Sequence, residues 1–126
     1  MRRALALVAI LLVAVAARAE LPSATDAVIR QALNSGKPTV IDLGARTCIP
    51  CRKMAPILES MAAEYRGRAS VLFIDVRENR AAADRFQVRM IPTQVFFDPK
   101  GREVKRHVGF MEKGDIERAL KAAGLR

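Results

Sequence analysis

Cys48 and Cys51 are the only cysteines in this chain of 126 residues, and two residues separate them. They follow an apolar run at residues 39–43 that is typical of a buried strand, and they precede a run with helical spacing. A thiol in the first turn of a helix faces unpaired backbone N–H groups and the positive end of the helix dipole. Because both favour the reactive thiolate, the sequence predicts a strand, a redox-active dithiol and a helix in that order.

The first 19 residues have the pattern of an export signal. Two arginines precede an apolar stretch at residues 4–17, which is too short to span a bilayer comfortably. Ala17-Arg18-Ala19 then fits the small-x-small cleavage pattern. We expect cleavage after this tripeptide and a single domain at residues 20–126. An uncleaved N-terminal anchor is the alternative.

The net charge of the mature chain excludes few classes of function, but it argues against nucleic acid as a partner. Three arginines lie in the predicted signal, so its removal lowers the formal net charge from +9 to +6. No basic stripe interleaved with aromatic residues is present. A basic surface of this size indicates at most a preference for acidic partners.

Export to an oxidising compartment makes a purely structural disulfide the alternative to a redox role. The chain-entropy model assigns about 2 kcal/mol to a loop as short as that between Cys48 and Cys51, against about 4.7 kcal/mol for a loop of about 100 residues. Because a stabilising disulfide serves better between distant segments, the spacing favours the redox role.

Hydrophobic periodicity predicts four helices and four strands. Their order is helix, strand, helix, strand, helix, strand, strand, helix. The β-α-β alternation of the first part implies a parallel crossover, and the short turn at residues 98–101 implies an antiparallel hairpin. We therefore predict an α/β fold, a mixed central sheet flanked by helices on both faces. The predicted bounds are a cap at Ser23 or Thr25 to Asn34, then 39–45, 48–66, 70–76, 79–86, 94–98, 103–108 and 112–123.

The helix after the cysteines contains two prolines with different expected effects. Pro50 lies in the first turn, where its missing N–H costs little. Pro56 lies in the interior and removes the N–H that would bond the carbonyl of Arg52, which predicts a kink. One apolar stripe runs along this helix: Met54, Ile57, Leu58, Met61 and Tyr65.

Taken together, these features resemble the thioredoxin family. The resemblance covers residues 37–120 and depends on several features in order: Asp42, Cys48-Ile49-Pro50-Cys51, Pro56, Ile91-Pro92-Thr93 and Gly109. It implies a thioredoxin-like fold and an enzyme that exchanges thiols with disulfides of other proteins. We expect no cofactor, no metal and a monomer.

The two cysteines have different expected roles. Cys48 is the predicted nucleophile, which attacks a partner disulfide to give a mixed disulfide, and Cys51 is placed to resolve it. Arg46, Arg52 and Lys53 are expected to lower the pKa of the Cys48 thiol.

Asp42 interrupts an otherwise apolar strand, at a position that resembles the family's buried aspartate behind the second cysteine. Burial raises the pKa of a carboxyl group, so Asp42 is the candidate general base for the proton of Cys51. An aspartate on an exposed strand face is the alternative.

The resemblance also assigns a substrate groove. Pro92 matches the family's cis-proline, which faces the dithiol, and base rates alone would not predict a cis bond. The expected substrate-binding residues are Ile91, Pro92, Thr93, Ile49 and Pro50. For Ile91, core packing is the alternative.

Three departures from cytosolic thioredoxins point elsewhere within the family. Thr47 and Gly44 occupy places where those proteins carry tryptophan, and the chain has no tryptophan. A short N-terminal helix also takes the place of a leading strand. These features look more like bacterial envelope reductases, which take electrons from a membrane thiol-transfer protein. We therefore predict a periplasmic reductase, with apocytochrome c thiols or mispaired disulfides as candidate targets.

Three other functions remain as alternatives. Disulfide-introducing oxidases of this fold usually carry a helical insertion and a histidine inside the motif, whereas the segment 76–90 is short and the motif has no histidine. A copper chaperone could hold Cu(I) on the two thiolates. His107 is a poor third ligand because it lies in a charged strand, where a solvated side chain is expected. A non-catalytic domain is the third alternative.

Overall fold

The computed structural model describes residues 20–126, so the predicted signal at residues 1–19 lies outside the described part. Every predicted helix and strand is present, with ends within two residues of the predicted bounds. In chain order they are α1 (Asp26–Leu33), β1 (Thr39–Gly44), α2 (Ile49–Glu64), β2 (Ser70–Asp75), α3 (Arg80–Arg85), β3 (Thr93–Phe97), β4 (Glu103–Val108) and α4 (Lys113–Ala122).

Side-chain caps explain where two of the helices begin. The Thr25 hydroxyl accepts a hydrogen bond from the N–H of Val28 at 3.3 Å, so Thr25 rather than Ser23 is the cap of α1. The Asn79 side chain accepts from the N–H of Ala82 at 3.1 Å and caps α3. Each cap satisfies a backbone donor that has no partner inside the helix.

The sheet has the order β2-β1-β3-β4 and is mixed, as predicted. Strand β1 pairs parallel with β2 and antiparallel with β3, and β3 pairs antiparallel with β4. Leu43, Thr93 and Val108 lie side by side across three strands. One end of the sheet therefore brings together the carboxyl end of β1 and the start of β3, where the residues assigned to chemistry begin.

Helices cover both faces of the sheet. One core packs α2 and α4 against the face that carries Val40 and Phe96. The other packs α1 and α3 against the face that carries Ile41 and Leu43. Successive side chains of a strand alternate between faces, so Asp42 belongs to the α2 and α4 side.

The segment before α1 is not wholly separate from the sheet. Ser23 forms an isolated parallel bridge with Phe73 of β2, and the N–H of Ala24 donates to the Phe73 carbonyl at 2.7 Å. At the opposite edge, β4 is largely exposed. Within residues 20–126, no helix has both the length and the apolar character needed to cross a membrane.

Candidate active site

Cys48 and Cys51 are joined in a disulfide at the start of α2, with their Cα atoms 5.2 Å apart. Cys48 is the N-cap of the helix and is half-buried, whereas Cys51 lies in the first turn and is 4% exposed. The disulfide therefore has one accessible sulfur and one that faces the interior. This asymmetry suits attack at Cys48 and resolution by Cys51.

The cap geometry offers the Cys48 sulfur one particular donor. An N-cap side chain normally accepts from the second or third helical N–H, and no side chain caps α2. Pro50 stands second and has no N–H, so the N–H of Cys51 is the donor within reach of a Cys48 thiolate. Together with the helix dipole, this donor favours the thiolate form of Cys48 once the disulfide is reduced.

A glycine makes room for the buried cysteine. A Cβ atom on Gly44 would lie 3.2 Å from both Cβ and Sγ of Cys51 and 3.5 Å from Phe73. Cys51 thus lies directly above Gly44, which is the last residue of β1 and the position where the resemblance has a tryptophan in cytosolic relatives. The absence of a side chain here lets α2 approach the strand closely.

Asp42 lies on the same face of β1 as Gly44, two residues earlier, and is fully buried. Residues two apart in a strand are separated by about 6.6 Å, so Asp42 lies one position along this face from Gly44, the residue beneath Cys51. Burial raises the pKa of Asp42 to about 6, although a hydrogen bond from Gln94 lowers it in part. Its Oδ2 atom has no hydrogen-bond partner among residues 20–126. The alternative of an exposed strand face is therefore wrong.

Of the three basic residues predicted to act on Cys48, Arg46 is the one whose surroundings differ from the prediction. Its guanidinium donates to the Glu20 carboxylate at 2.9 Å and to the Leu21 carbonyl at 3.0 Å, and it lies 5.0 Å from the centre of the Phe73 ring. Because the Glu20 carboxylate neutralises this cation, Arg46 is not a free positive charge for Cys48. Arg52 and Lys53 are exposed in the first turns of α2 and keep the predicted position.

Asp75, which sequence analysis did not select, holds the loop that leads into the cysteines. Its carboxylate accepts from the backbone N–H of Arg46 at 3.2 Å and of Arg77 at 2.8 Å. Burial alone would raise the pKa of Asp75, but hydrogen bonds from the backbone N–H groups of Arg77, Arg46 and Glu78 outweigh it and lower the pKa. Arg77 also donates to the Thr47 hydroxyl, next to Cys48.

The segment before β3 lies at the same end of the sheet. The Ile91–Pro92 peptide bond is cis, and the N–H of Gly109 donates to the Pro92 carbonyl at 2.8 Å. Ile91 is half-buried and Pro92 is buried. The Thr93 side chain is buried, and its hydroxyl donates to the Met90 carbonyl at 2.6 Å, so its polar group serves the fold of this turn.

Apolar side chains are nevertheless exposed at this end of the sheet. Ile49 is 71% exposed within the motif, and Met90, just before the Ile91–Pro92 bond, is 67% exposed. Large apolar side chains at the rim of a reactive site are suited to contact a partner protein. Substrate contact by Ile49, Pro50, Ile91, Pro92 and Thr93 stays a prediction.

His107 is less solvated than expected. His107 is half-buried, and its Nδ1 lies 2.8 Å from Oε1 of Gln94. Gln94 is fully buried and donates from Nε2 to the Asp42 carboxylate at 2.9 Å. The sequence signal for Gln94 was a polar residue in an otherwise apolar strand, which is the same signal that identified Asp42.

Metal binding finds no further support in the described part of the chain. Residues 20–126 contain no cluster of three or more histidine, cysteine, aspartate or glutamate side chains that could hold an ion. The thioether sulfur of Met54 is no open ligand either, because Met54 is fully buried and accepts a hydrogen bond from the N–H of Met111.

Strand β1 ends beneath a dithiol with one accessible sulfur, and Asp42 is buried on the same face of that strand. This arrangement defines the class of proteins that catalyse thiol–disulfide exchange. The sequence is similar to known proteins of that class: the family model described as Thioredoxin matches residues 21–122. Thioredoxins from Alicyclobacillus acidocaldarius subsp. acidocaldarius and Staphylococcus aureus are each 38% identical over 96 residues, which are 76% of this chain and 90% of theirs.

A solved structure shows the same fold. An asparagine-to-glutamine mutant of the thioredoxin from Halobacterium salinarum NRC-1 superposes with a TM-score of 0.71 at 27% identity, covering 82% of this chain and 88% of that one. The chain belongs to the thioredoxin family. It is a thiol–disulfide oxidoreductase with a close Cys48–Cys51 pair, of the family that acts on protein disulfides.

Proposed function

We propose that the protein is an exported reductase of protein disulfides in which the two cysteines and Asp42 have separate roles. The Cys48 thiolate attacks one sulfur of the partner disulfide, forms a mixed disulfide and displaces the other sulfur as a thiolate. Cys51 then loses its proton to Asp42 and attacks the Cys48 sulfur. The second partner thiolate leaves, Cys48 and Cys51 are oxidised to the disulfide, and the partner is reduced by two electrons.

The observation that carries this proposal is the position of the two sulfurs relative to Asp42. Cys48 is accessible at the N-cap of α2, whereas Cys51 is buried above Gly44, on the face of β1 that carries the Asp42 carboxylate. A buried thiol needs a nearby base to become a nucleophile, and a carboxyl group with a pKa of about 6 is ionised at neutral pH. The free Oδ2 atom is the acceptor that the resolving step requires.

Two features support reduction as the direction of flux. Between β2 and β3 the chain contains the six residues of α3 and short connections, which leaves no room for a large helical insertion. The motif between the cysteines, Ile49-Pro50, contains no histidine. Both differ from the features that the family resemblance assigns to disulfide-introducing oxidases.

Equilibration with glutathione redox buffers tests the direction. The oxidised fraction is measured by maleimide labelling and a gel shift. We expect a standard potential at or below that of glutaredoxins, about −200 to −230 mV. A value near the −120 mV of strongly oxidising members would contradict the reductive assignment.

Export and the electron donor are supported by the sequence of residues 1–19 and by the family resemblance. We propose cleavage after Ala19, a periplasmic location, and a membrane thiol-transfer protein as donor, with apocytochrome c or mispaired disulfides as substrates. The intact mass of the protein recovered from the periplasm tests cleavage, because an amino terminus at Glu20 fixes that mass. A recovered protein that retains residues 1–19 would contradict it.

A trapping variant tests the substrate and the donor together. Cys51→Ala removes the resolving thiol, so the mixed disulfide on Cys48 accumulates and the bound protein is identified by mass spectrometry. Cys48→Ala is the matched control and should trap little, because its remaining thiol is buried. Equal trapping by both variants would contradict the assigned roles. Size-exclusion chromatography of the mature protein tests the expected monomer.

A further inference from the structure

Three polar side chains form a hydrogen-bonded row across the sheet behind the dithiol. Asp42 of β1 lies opposite Gln94 of β3, which lies opposite His107 of β4. Gln94 Nε2 is 2.9 Å from Asp42 Oδ1, and Gln94 Oε1 is 2.8 Å from His107 Nδ1. The row runs from a fully buried carboxyl group to a half-buried ring at the sheet edge.

Gln94 is a buried amide in a largely apolar strand. It is fully buried in a strand whose other members are Thr93, Val95 and two phenylalanines. Burying an amide in such surroundings is unfavourable unless both of its ends are hydrogen-bonded. The two ends are satisfied by Asp42 and His107, so the amide fits this position because of those two neighbours.

The direction of each hydrogen bond follows from the chemistry of the groups. An ionised carboxylate accepts only, so the Gln94 amide must turn its NH₂ group toward Asp42. Its oxygen then faces His107 and also accepts only, so Nδ1 of His107 must carry a hydrogen. Turned the other way, the amide would place its oxygen against the carboxylate. A hydrogen on Nδ1 of His107 is thus directed at the Gln94 oxygen and is compatible only with the amide orientation that stabilises ionised Asp42.

We propose that Gln94 and His107 are positioning residues for the resolving step. Gln94 binds Oδ1 of Asp42 and leaves Oδ2 free for the proton of Cys51. His107 fixes the Gln94 amide in the orientation that this requires. The inference rests on the role of Asp42 in the proposed function. Neither residue touches the reacting sulfur atoms.

Other charged groups also face His107 and must be separated from its effect. His107 borders a pocket between β4 and α4 whose charged lining residues are Lys105, Asp115 and Arg118. Asp115 and Arg118 pair with each other on α4. Lys105 lies two residues from His107 on the same face of β4 and makes no hydrogen bond to Gln94, so it provides a matched control.

The test is the titration of Asp42 in the oxidised protein, followed by ¹³C NMR of the carboxyl carbons. Gln94→Leu removes a hydrogen bond to the charged form, so we expect the midpoint to rise by about one to two pH units. His107→Leu should raise it by about half a unit. His107→Asn should restore the wild-type midpoint because its Nδ2 is as many bonds from Cα as Nδ1 of histidine. Lys105→Gln should leave the midpoint nearly unchanged.

A kinetic measurement links the titration to the reaction. With a midpoint near 7.5 in place of 6, the ionised fraction of Asp42 at pH 7 falls roughly fourfold. Resolution of a preformed mixed disulfide on Cys48 should slow by the same factor in Gln94→Leu and recover above pH 8. A rate loss that is equal at all pH values would indicate a structural defect and overturn the inference.

The titration separates this inference from the proposed function. An unchanged midpoint in Gln94→Leu, or equal midpoints in His107→Leu and His107→Asn, overturns the positioning role even when the wild type reduces disulfides. If Gln94→Leu does not fold, the His107 pair decides, because that residue lies at the exposed edge strand. A wild type that cannot reduce insulin disulfides contradicts the proposed function but does not alter the titration.

Discussion

Replacing Asp42 by asparagine should stabilise the protein at neutral pH. Burial raises the pKa of Asp42 from 3.8 to about 6, a difference of about two pH units. Each unit corresponds to about 1.4 kcal/mol, so the ionised carboxylate destabilises the fold by roughly 3 kcal/mol at pH 7.5. The buried amide of Asp42→Asn cannot ionise and avoids this cost.

The sign of the pH dependence follows from proton binding. Between about pH 4 and pH 6 the native state holds a proton on Asp42 that the unfolded state has lost. The free energy of unfolding therefore falls through this range in the wild type and is constant above it, as far as this group is concerned. Below pH 4 both side chains are neutral and each buries one unpartnered polar group, an O–H in the acid and an NH₂ in the amide, so the two proteins should be about equally stable.

Urea unfolding of the oxidised proteins between pH 4 and pH 8 measures the difference. Far-UV circular dichroism is the suitable signal, because the chain has no tryptophan. We expect the difference between Asp42→Asn and wild type to grow from near zero to roughly 3 kcal/mol at equal m-values. Asp84→Asn, at an exposed helical position, is the control and should stay within about 0.5 kcal/mol. A difference that does not change with pH would refute the reasoning.

Three further substitutions test the surroundings of the dithiol. Gly44→Ala should cost about 1–3 kcal/mol in urea unfolding, because its Cβ would lie 3.2 Å from the Cys51 sulfur; unchanged stability would show that α2 is free to shift. Asp75→Ala leaves three backbone N–H groups without their acceptor and should cost about 2–4 kcal/mol at pH 7. Because the folded state lowers the pKa of Asp75, this loss should shrink as the pH falls below about 4, and a loss that persists there contradicts the assignment. Asn79→Ala removes the cap of α3 and should lower the free energy of unfolding by about 1 kcal/mol, with Asn34→Ala, at the C-terminal end of α1, as the comparison.

Local patterns sufficed to predict the elements and the dithiol. Helical spacing, caps and turn residues depend on neighbours within a few positions. For this reason α2, its apolar stripe and the hairpin could be predicted from the sequence. Asp42 was found because one acid in an apolar strand is conspicuous. Gln94 carries the same signal in β3, but an amide is a weaker sign of chemistry than a carboxyl group.

The partners of these residues depend on pairings between distant segments. His107 meets Gln94 because β3 and β4 pair in a register that shifts between Phe96 and Phe97, and the strand sequence does not specify that shift. Arg46 was assigned to Cys48 because the two are close in sequence. The fold instead brings Glu20 against its guanidinium, which changes the charge near the dithiol.

Alkylation of the reduced protein by iodoacetamide across pH, with mass mapping of each cysteine, tests the division of labour between the two thiols most directly. We expect Cys48 to react first, with a midpoint well below the value of about 8.5 for a free cysteine, and Cys51 to react slowly at every pH. A Cys48 midpoint near 8.5, or equal rates at both cysteines, would contradict the account.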